Sequence, residues 1–264
     1  MTYSNELIEE LTAAAQAAAD AARPETLRHF RTDPYTDNKD GAGFDPVTEG
    51  DRAAERAMRE VLSNLRPDDA ILGEEFGAQP GTSGLTWVLD PIDGTRAYIA
   101  GAPTWGVLVA VSDQNGPILG LIDQPHTRER FFGGPHGATL DAPGGRRRLA
   151  TRAPRPLSQA LVMTTFPEVG TAEDGAAFRR VSAAARLTRY GLDCYAYGLV
   201  ALGLVDLVIE AGLQAHDIQG PMAVIQAAGG IVTDWQGGPA HQGGRVLAAA
   251  NAAIHTEAMQ LLKG

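Results

Sequence analysis

The stretch Trp87–Thr95 constrains the fold more than any other part of the chain. It begins as a short apolar run, which predicts a buried strand, and continues into Asp90, Pro91, Asp93 and Gly94. Proline has no amide hydrogen to donate to a sheet, so we expect the strand to stop there. Two carboxylates on one sharp turn repel each other unless a cation lies between them, and hard oxygen ligands suit Mg²⁺ or Mn²⁺. The stretch therefore predicts a strand that ends in a divalent-metal site.

The same turn offers groups that suit an anion. Gly94 allows a ligand to approach the backbone closely, so the amides of Gly94 and Thr95 are candidates for holding a negatively charged group. Thr95 adds a hydroxyl. Carboxylates, backbone amides and a hydroxyl on one turn predict a site that takes a metal together with a phosphate.

The overall charge limits which partners such a site can have. The 264 residues carry a formal net charge of −10, which argues against nucleic acid or an anionic membrane as a partner. Cys194 is the only cysteine, so no internal disulfide is possible, which fits a reducing cytoplasm. The N-terminal residues do not have the pattern of a signal peptide, and no apolar run has the length of a membrane span. We therefore expect a cytoplasmic protein.

The two halves of the chain follow different patterns. In the first half, apolar residues at helical spacing predict two helices. Pro24 interrupts or ends the first, and the second begins near Asp51. The later strands of this half predict an antiparallel sheet. In the second half strands alternate with helices, as is typical of α/β proteins. A segment rich in Pro, Gly and Arg lies between them. We predict an α/β fold class overall, with an α+β domain at residues 1–145 and an α/β domain at residues 146–264.

Further carboxylates stand at the ends of predicted elements. Glu74 and Glu75 follow a short apolar strand. Asp51 lies in the first turn of its helix, beside the natural N-cap Thr48, where it complements the helix dipole unless it also serves a site. Asp217 is placed in the same way at the start of a later helix. Pairs of glutamates are usually exposed on a surface, and the positions of Asp51 and Asp217 are each explained by capping as well as by function.

Two other features leave alternatives open. The polar segment 31–46, with Lys39 and Asp40, is either a solvated connection or a loop that covers a site. His216 stands directly before Asp217, and we interpret it as structural rather than as a metal ligand.

Four motifs together resemble the inositol monophosphatase family: Val47–Asp51, Gly73–Glu75, Trp87–Thr95, and Asp217 ahead of Ala227–Gly230. They occur in the family's order and run from about residue 40 to 235, which is most of the chain. The resemblance implies a layered αβαβα sandwich whose site lies between the two halves.

The resemblance also implies a role for each matching residue. It implies that metal is held by Glu74, Asp90, the Ile92 carbonyl, Asp93 and Asp217, with Glu75 as a further metal or water contact. It implies catalytic roles for Asp51 and Thr95, which orient and activate the attacking water, together with Glu74. The amides of Gly94 and Thr95 are expected to hold the phosphate. The implied reaction is hydrolysis of a small phosphate monoester by water activated by two or three Mg²⁺ ions, for which Mn²⁺ can substitute.

Two segments predict which ester is used. The segments Gly191–Tyr197 and Val205–Leu213 resemble the histidinol-phosphatase branch of the family. Histidinol phosphate carries an amine and an imidazole, and Asp193 and Glu210 can pair with these groups by charge-assisted hydrogen bonds. Asp193 is equally well read as the cap of the next helix. The predicted substrate-binding residues are Asp93, Asp193, Glu210 and Asp217. We predict L-histidinol phosphate as the substrate, in histidine biosynthesis, and a homodimer.

Three alternatives remain at the level of sequence. The first is another substrate of the same family, chiefly inositol monophosphate or another sugar or polyol phosphate. The second is the aspartyl-nucleophile mechanism of haloacid-dehalogenase phosphatases, whose Asp-x-Asp motif is one residue shorter than the spacing from Asp90 to Asp93. The third is a metal-binding protein that has kept the scaffold without the activity.

Overall fold

The computed structural model describes residues 3–32, 36–38 and 46–264. The predicted alternatives for Lys39 and Asp40 lie outside the described residues. The helices are α1 (Asn5–His29), α2 (Glu49–Leu65), α3 (Thr95–Ile99), α4 (Ala172–Ala184), α5 (Cys194–Ala201), α6 (Ala215–Ala227) and α7 (Ala252–Lys263), with a 3₁₀ turn at Leu157–Gln159. The strands are β1 (Thr36–Asn38), β2 (Pro46–Thr48), β3 (Ala70–Gly73), β4 (Gly77–Gln79), β5 (Thr86–Asp93), β6 (Gly106–Asp113), β7 (Gly116–Gln124), β8 (Glu129–Gly134), β9 (Gly137–Ala142), β10 (Gly145–Arg148), β11 (Leu161–Thr164), β12 (Leu187–Tyr190), β13 (Leu207–Leu213), β14 (Ile231–Thr233) and β15 (Gly244–Ala249).

These elements form alternating layers of helix and sheet. Helices α1 and α2 cover the outer face of the first sheet, and α5 and α6 lie between the two sheets. Helices α4 and α7 close the far face of the second sheet. Each interface has its own apolar core, since a sheet buried on both faces needs apolar side chains on both. The prediction of an αβαβα sandwich is confirmed.

The first sheet has the strand order β10-β9-β8-β7-β6-β5-β3-β4. All its pairs are antiparallel except β3 with β5, so the sheet is mixed rather than purely antiparallel as predicted. Because β3 and β5 run in the same direction, their carboxyl ends meet at one edge. Glu74 and Asp93 follow from those two ends.

Pro91 does not end β5, which continues to Asp93. The pairing of β5 with β6 is regular to Asp90 and resumes at Asp93, so Pro91 occupies an irregularity where no ladder hydrogen bond is required of it. Pro24 likewise lies within α1, which continues to His29, and the prediction that it interrupts or ends the helix is wrong. Alanines on the buried face of α1 pack on α2 and the first sheet, and this packing outweighs one lost backbone hydrogen bond.

The second sheet has the order β12-β11-β13-β15-β14, with parallel pairs on both sides of β11. Sequence patterns did not reveal β12, an edge strand with mostly exposed side chains, or the β9–β10 hairpin, whose second strand is fully exposed. Strand β10 also contains position 145, at which we predicted the domain boundary, and that division stays a prediction. None of the helices in the described part of the chain has both the length and the apolar character that crossing a bilayer requires.

Candidate active site

Four predicted metal ligands meet between the two sheets. Glu74 follows β3, Asp90 and Asp93 belong to β5, and Asp217 lies in the first turn of α6. Possible ligand atoms of Asp90, Asp93 and Asp217 all lie within 4.8 Å of one another. A second group, Glu74, Asp90 and His216, meets the same limit. Asp90 therefore belongs to both groups, which form one continuous acidic centre.

A buried glutamate that sequence reasoning missed fixes the turn carrying Glu74. Glu55, on the inner face of α2, is fully buried and forms an ion pair with Arg59 at 2.7 Å. Its carboxylate accepts hydrogen bonds from the backbone amides of Glu75 at 2.7 Å and Phe76 at 3.2 Å. Gly73 has to be glycine here, because a Cβ would lie 1.9 Å from Glu55 Oε1. The available signal was spacing, since Glu55 lies one helical turn after Asp51 on the same face.

The end of β5 is held by hydrogen bonds from within the chain. Asp90 Oδ1 accepts the Ile92 amide at 3.1 Å, and Asp93 Oδ2 accepts the amide of Cys194, the first residue of α5, at 2.7 Å. Thr95 Oγ1 donates to the Ile92 carbonyl at 3.2 Å. The Asp93 bond ties the end of β5 to α5, whereas the Asp90 and Thr95 bonds are local to the turn, and together they limit how far either aspartate can turn away.

Gly94 is also required for a reason that we did not predict. Its φ of +83° is left-handed, and a Cβ there would lie 2.7 Å from Cγ of Asp193. The backbone of Gly94 is thus approached by a carboxylate of this chain. Asp193 itself has φ +47° and ψ −141°, which is an uncommon conformation for a residue with a side chain.

The capping alternative for Asp193 holds for its position at the start of α5 and not for its side chain. Asp193 occupies the N-cap position of α5, yet its carboxylate accepts no capping hydrogen bond from the described residues of that helix. It accepts instead from Thr104 Oγ1 at 3.4 Å, and it lines the cleft beside Gly94. Its pKa is raised, chiefly by burial.

The electrostatics of the centre favour a cation. Burial raises the pKa of Asp90 well above its ordinary range, and the negative charges of Glu74, Asp93 and Asp217 raise it further. The pKa of Asp93 is raised by burial and then by Asp217 and Asp193, and burial is also the main cause of the raised pKa of Asp217. Several buried carboxylates that repel one another are stabilised when a cation binds between them. The oxygen donors therefore fit a hard divalent ion.

Asp51 serves as a cap and still has one free oxygen. Its Oδ2 accepts the Thr48 amide at 2.7 Å and the Thr48 hydroxyl at 2.5 Å, while its own amide donates to that hydroxyl, which completes a capping box. Oδ1 is buried and has no hydrogen-bond partner in the described part of the chain. Burial raises the pKa of Asp51 to about 7. A carboxyl group with such a pKa exchanges a proton readily near neutral pH.

The cleft above the acidic centre has a volume of about 290 Å³. Its far wall includes Glu210 of β13, which is buried and accepts hydrogen bonds from the Thr165 amide at 2.9 Å and the Tyr197 hydroxyl at 2.8 Å. Burial raises the pKa of Glu210. At the rim, the guanidinium of Arg96 lies 4.9 Å from the centre of the half-exposed Phe166 ring. Neither rim residue was predicted, because only the fold brings these segments together.

The cleft thus brings together all the predicted metal-ligating, phosphate-binding and substrate-binding residues. The residues concerned are Glu74, Asp90, Ile92, Asp93, Gly94, Thr95, Asp193, Glu210 and Asp217. Asp51 is not among the described residues that line the cleft, and it lies buried at the start of α2. The individual roles of all these residues stay predictions.

A layered α/β fold with carboxylates converging between its sheets defines the class of α/β proteins that have a candidate metal centre between two sheets. Comparison with known protein families identifies the family to which the chain belongs. The profile of the inositol monophosphatase family matches residues 7–263, and the chain belongs to this family.

Individual relatives cover nearly the whole chain. The bifunctional phosphatase IMPL2 of Arabidopsis thaliana is 38% identical over 97% of this chain and 76% of its own length. A histidinol-phosphatase of Streptomyces coelicolor is 35% identical over 94% of this chain and 95% of its own. Among solved structures, an inositol monophosphatase from Zymomonas mobilis superposes with a TM-score of 0.86 at 35% identity, covering 99% of this chain and 100% of that one. The predictions of family and of phosphatase activity are confirmed.

Proposed function

We propose that this chain is a Mg²⁺-dependent phosphatase that hydrolyses L-histidinol phosphate to L-histidinol and phosphate, a step of histidine biosynthesis. The proposal includes Mn²⁺ as a substitute ion, a cytoplasmic location and a homodimer. Its support comes from the acidic wall of the cleft, and also from the histidinol-phosphatase of Streptomyces coelicolor, which is 35% identical to this chain.

The observation that carries the proposal is a second set of carboxylates, beyond the metal centre. Asp193 and Glu210 both line the cleft and both are largely buried. Arg96 is the one cationic side chain in the described lining, so negative charge dominates the wall. Metal ions offset the charge of Glu74 and the ligand aspartates, and Arg96 partly offsets that of Asp193, whereas Glu210 has no such partner among the described residues and can pair with a cation of the substrate. Histidinol phosphate offers a protonated amine and an imidazole, whereas an inositol phosphate offers only hydroxyl groups.

The roles that we assign rest on the family resemblance and on the convergence of the acidic side chains. Glu74, Asp90, Asp93, Asp217 and the Ile92 carbonyl hold Mg²⁺. When bound, Mg²⁺ supplies positive charge that offsets the phosphate oxygens and makes water a better nucleophile at neutral pH.

The remaining residues orient the reactants and handle the proton. The amides of Gly94 and Thr95 bind the phosphate oxygens at the start of α3. The Thr95 hydroxyl orients the attacking water. Asp51, with its unpartnered Oδ1 and a pKa of about 7, accepts the proton that the water gives up. No group of the chain forms a covalent bond to phosphorus in this scheme.

A second candidate substrate is inositol 1-phosphate or a related polyol phosphate. The observation in its favour is the similarity to the inositol monophosphatase of Zymomonas mobilis, which covers all of that chain. Thr165 and Thr104 also offer hydroxyl groups close to Glu210 and Asp193, which suits a polyol.

The deciding experiment compares kcat/KM for histidinol phosphate and inositol 1-phosphate with Mg²⁺ present. We expect histidinol phosphate to be preferred, and we expect Glu210→Gln to remove most of that preference by raising KM for histidinol phosphate alone. The loss of one charge-assisted hydrogen bond is worth about 1.5–3 kcal/mol, or roughly 10- to 150-fold in kcat/KM.

Glu129→Gln is the matched control. Glu129 accepts the Tyr195 hydroxyl at 2.8 Å, as Glu210 accepts that of Tyr197, but it lies outside the described lining of the cleft. We expect this variant to keep the wild-type ratio of the two substrates. A wild-type preference for inositol 1-phosphate would refute the substrate assignment, and absence of any Mg²⁺-dependent phosphate release from either ester would refute the proposed function as a whole.

A further inference from the structure

The acidic centre contains one nitrogen donor that the proposed mechanism leaves unused. His216 lies in the first turn of α6, directly before Asp217, and its side chain is 18% exposed. A ring nitrogen of His216 and carboxylate oxygens of Glu74 and Asp90 all lie within 4.8 Å of one another. His216 Nε2 also lies 3.5 Å from Asp217 Oδ1.

We propose that His216 is a ligand of the ion held by Glu74 and Asp90, and that this position therefore prefers Mn²⁺ or a similar transition ion to Mg²⁺. The inference rests on the proposed function in one respect, namely that the acidic centre binds divalent metal. It differs from the interpretation of His216 as structural that the sequence alone favours.

The donor atoms divide the centre into two unlike positions. Asp90, Asp93 and Asp217 offer only oxygen, and hard oxygen ligands suit Mg²⁺. Glu74, Asp90 and His216 offer two oxygens and an imidazole nitrogen. Imidazole suits transition ions such as Fe²⁺, Ni²⁺ and Zn²⁺, and Mn²⁺ stands at the weak end of the same series, whereas Mg²⁺ keeps water and oxygen ligands. The same centre therefore holds a hard position and a softer one that share Asp90.

The geometry is close to that of a bound ion. Donors on opposite sides of an ion lie about 4.2 Å apart, which is twice a bond of about 2.1 Å. The three donors of this group all lie within 4.8 Å of one another, which is compatible with one ion shared among them. The competing role for His216 is as an ion-pair partner of Asp217, in which the imidazole is protonated and binds no metal.

Pulsed electron paramagnetic resonance on the Mn²⁺-loaded full chain separates the two roles, because it detects ¹⁴N bound directly to Mn²⁺. We expect a directly bound ¹⁴N in the wild type and its loss in His216→Phe. The matched control is His136→Phe, since His136 is exposed in the turn between β8 and β9. This control is expected to keep the wild-type signal.

Calorimetric titration gives a second measurement on the same proteins. We expect His216→Phe to weaken Mn²⁺ binding at least about tenfold. Loss of a residue that only hydrogen-bonds a metal ligand already lowers metal affinity by about this factor. Mg²⁺ binding should change far less, because the all-oxygen position is intact. Equal losses for the two ions would overturn the assigned preference.

Each outcome has one meaning. Mn²⁺ that binds to the wild type without a directly bound nitrogen would overturn the role of His216 and leave the proposed function standing. A wild type that binds neither Mn²⁺ nor Mg²⁺ would refute the metal centre itself and, with it, the proposed function. A nitrogen signal that persists in His216→Phe would assign the ligand elsewhere and also overturn the inference. If that variant does not fold, the resonance measurement is repeated on wild type grown with ¹⁵N-histidine. A histidine ligand then gives a ¹⁵N signal in place of the ¹⁴N signal.

Discussion

Substituting Gly94 by alanine tests whether the Asp193 carboxylate can keep its position in the cleft only when residue 94 has no side chain. Gly94 has φ +83°, and an added Cβ would lie 2.7 Å from Cγ, 2.8 Å from Cβ and 3.0 Å from Oδ2 of Asp193. All three atoms belong to one side chain, which is itself held on a strained backbone. We expect Gly94→Ala to destabilise the metal-free protein and to displace Asp193 from the cleft.

The expected magnitude has two parts. Left-handed backbone costs a residue with a Cβ roughly 1–2 kcal/mol. Forcing a carbon into occupied space costs about 1–3 kcal/mol more. The free energy of unfolding, measured by urea titration with EDTA present, should therefore fall by about 2–5 kcal/mol. In the same variant, kcat/KM for histidinol phosphate should fall by more than the loss of folded protein explains, because the molecules that remain folded have a misplaced Asp193.

Gly84→Ala separates the two parts. Gly84 has φ +85°, and a Cβ added there would have nothing within 4 Å, so only the backbone cost of about 1–2 kcal/mol applies. A second substitution, Asp193→Gly, removes the three contacted atoms together with the strain at φ +47°. The double variant Gly94→Ala with Asp193→Gly should recover about 1–3 kcal/mol relative to the sum of the single changes. Equal losses in the two alanine variants, or a coupling of zero, would refute the reasoning.

Three other perturbations test the metal centre and the water-activating residues. Asp90→Asn should lower Mg²⁺-dependent kcat/KM by more than about 100-fold, because it removes a charge common to both ligand groups. The same variant should be at least as stable as wild type in EDTA, and activity near wild type would count against Asp90 as a ligand. Thr95→Ala should lower kcat by about 100-fold with little change in KM, since the hydroxyl acts on the water, and steady-state kinetics that place the effect on KM alone would contradict this role. Finally, the folded protein keeps a proton on Asp51 up to a pKa of about 7, whereas the unfolded chain loses it near 3.8, so metal-free stability should fall as pH rises between these values. Urea midpoints in EDTA from pH 5 to pH 8 should fall less steeply in Asp51→Asn than in wild type.

The parts of the molecule that sequence patterns predict are those fixed by local chemistry. The helix after Thr48 was predicted from its cap and its apolar spacing, and the structure has that cap as a complete capping box. The β6–β7 hairpin followed from a turn of Asp and Gly between apolar runs. The convergence of Glu74, Asp90, Asp93 and Asp217 followed from motif order and the family resemblance.

What could not be predicted depends on contacts between distant segments. Glu55 is on the buried face of α2, and its partners at Glu75 and Phe76 become evident only when β3 and α2 are packed together. The contact of Asp193 with Gly94 joins segments from opposite halves of the chain. Strands β10 and β12 were missed because their side chains are mostly exposed, so they carry no apolar alternation.

The position of α6 between the two sheets has a consequence for how the enzyme matures. This helix contributes Asp217, while Glu74 and Asp90 come from the other end of the sequence, in the first sheet. A chain still emerging from the ribosome therefore has Glu74, Asp90 and Asp93 long before it has Asp217. We therefore expect the complete acidic centre to form only after α6 has docked, and a chain that ends before α6 to lack Asp217 and so to release no phosphate from its substrate.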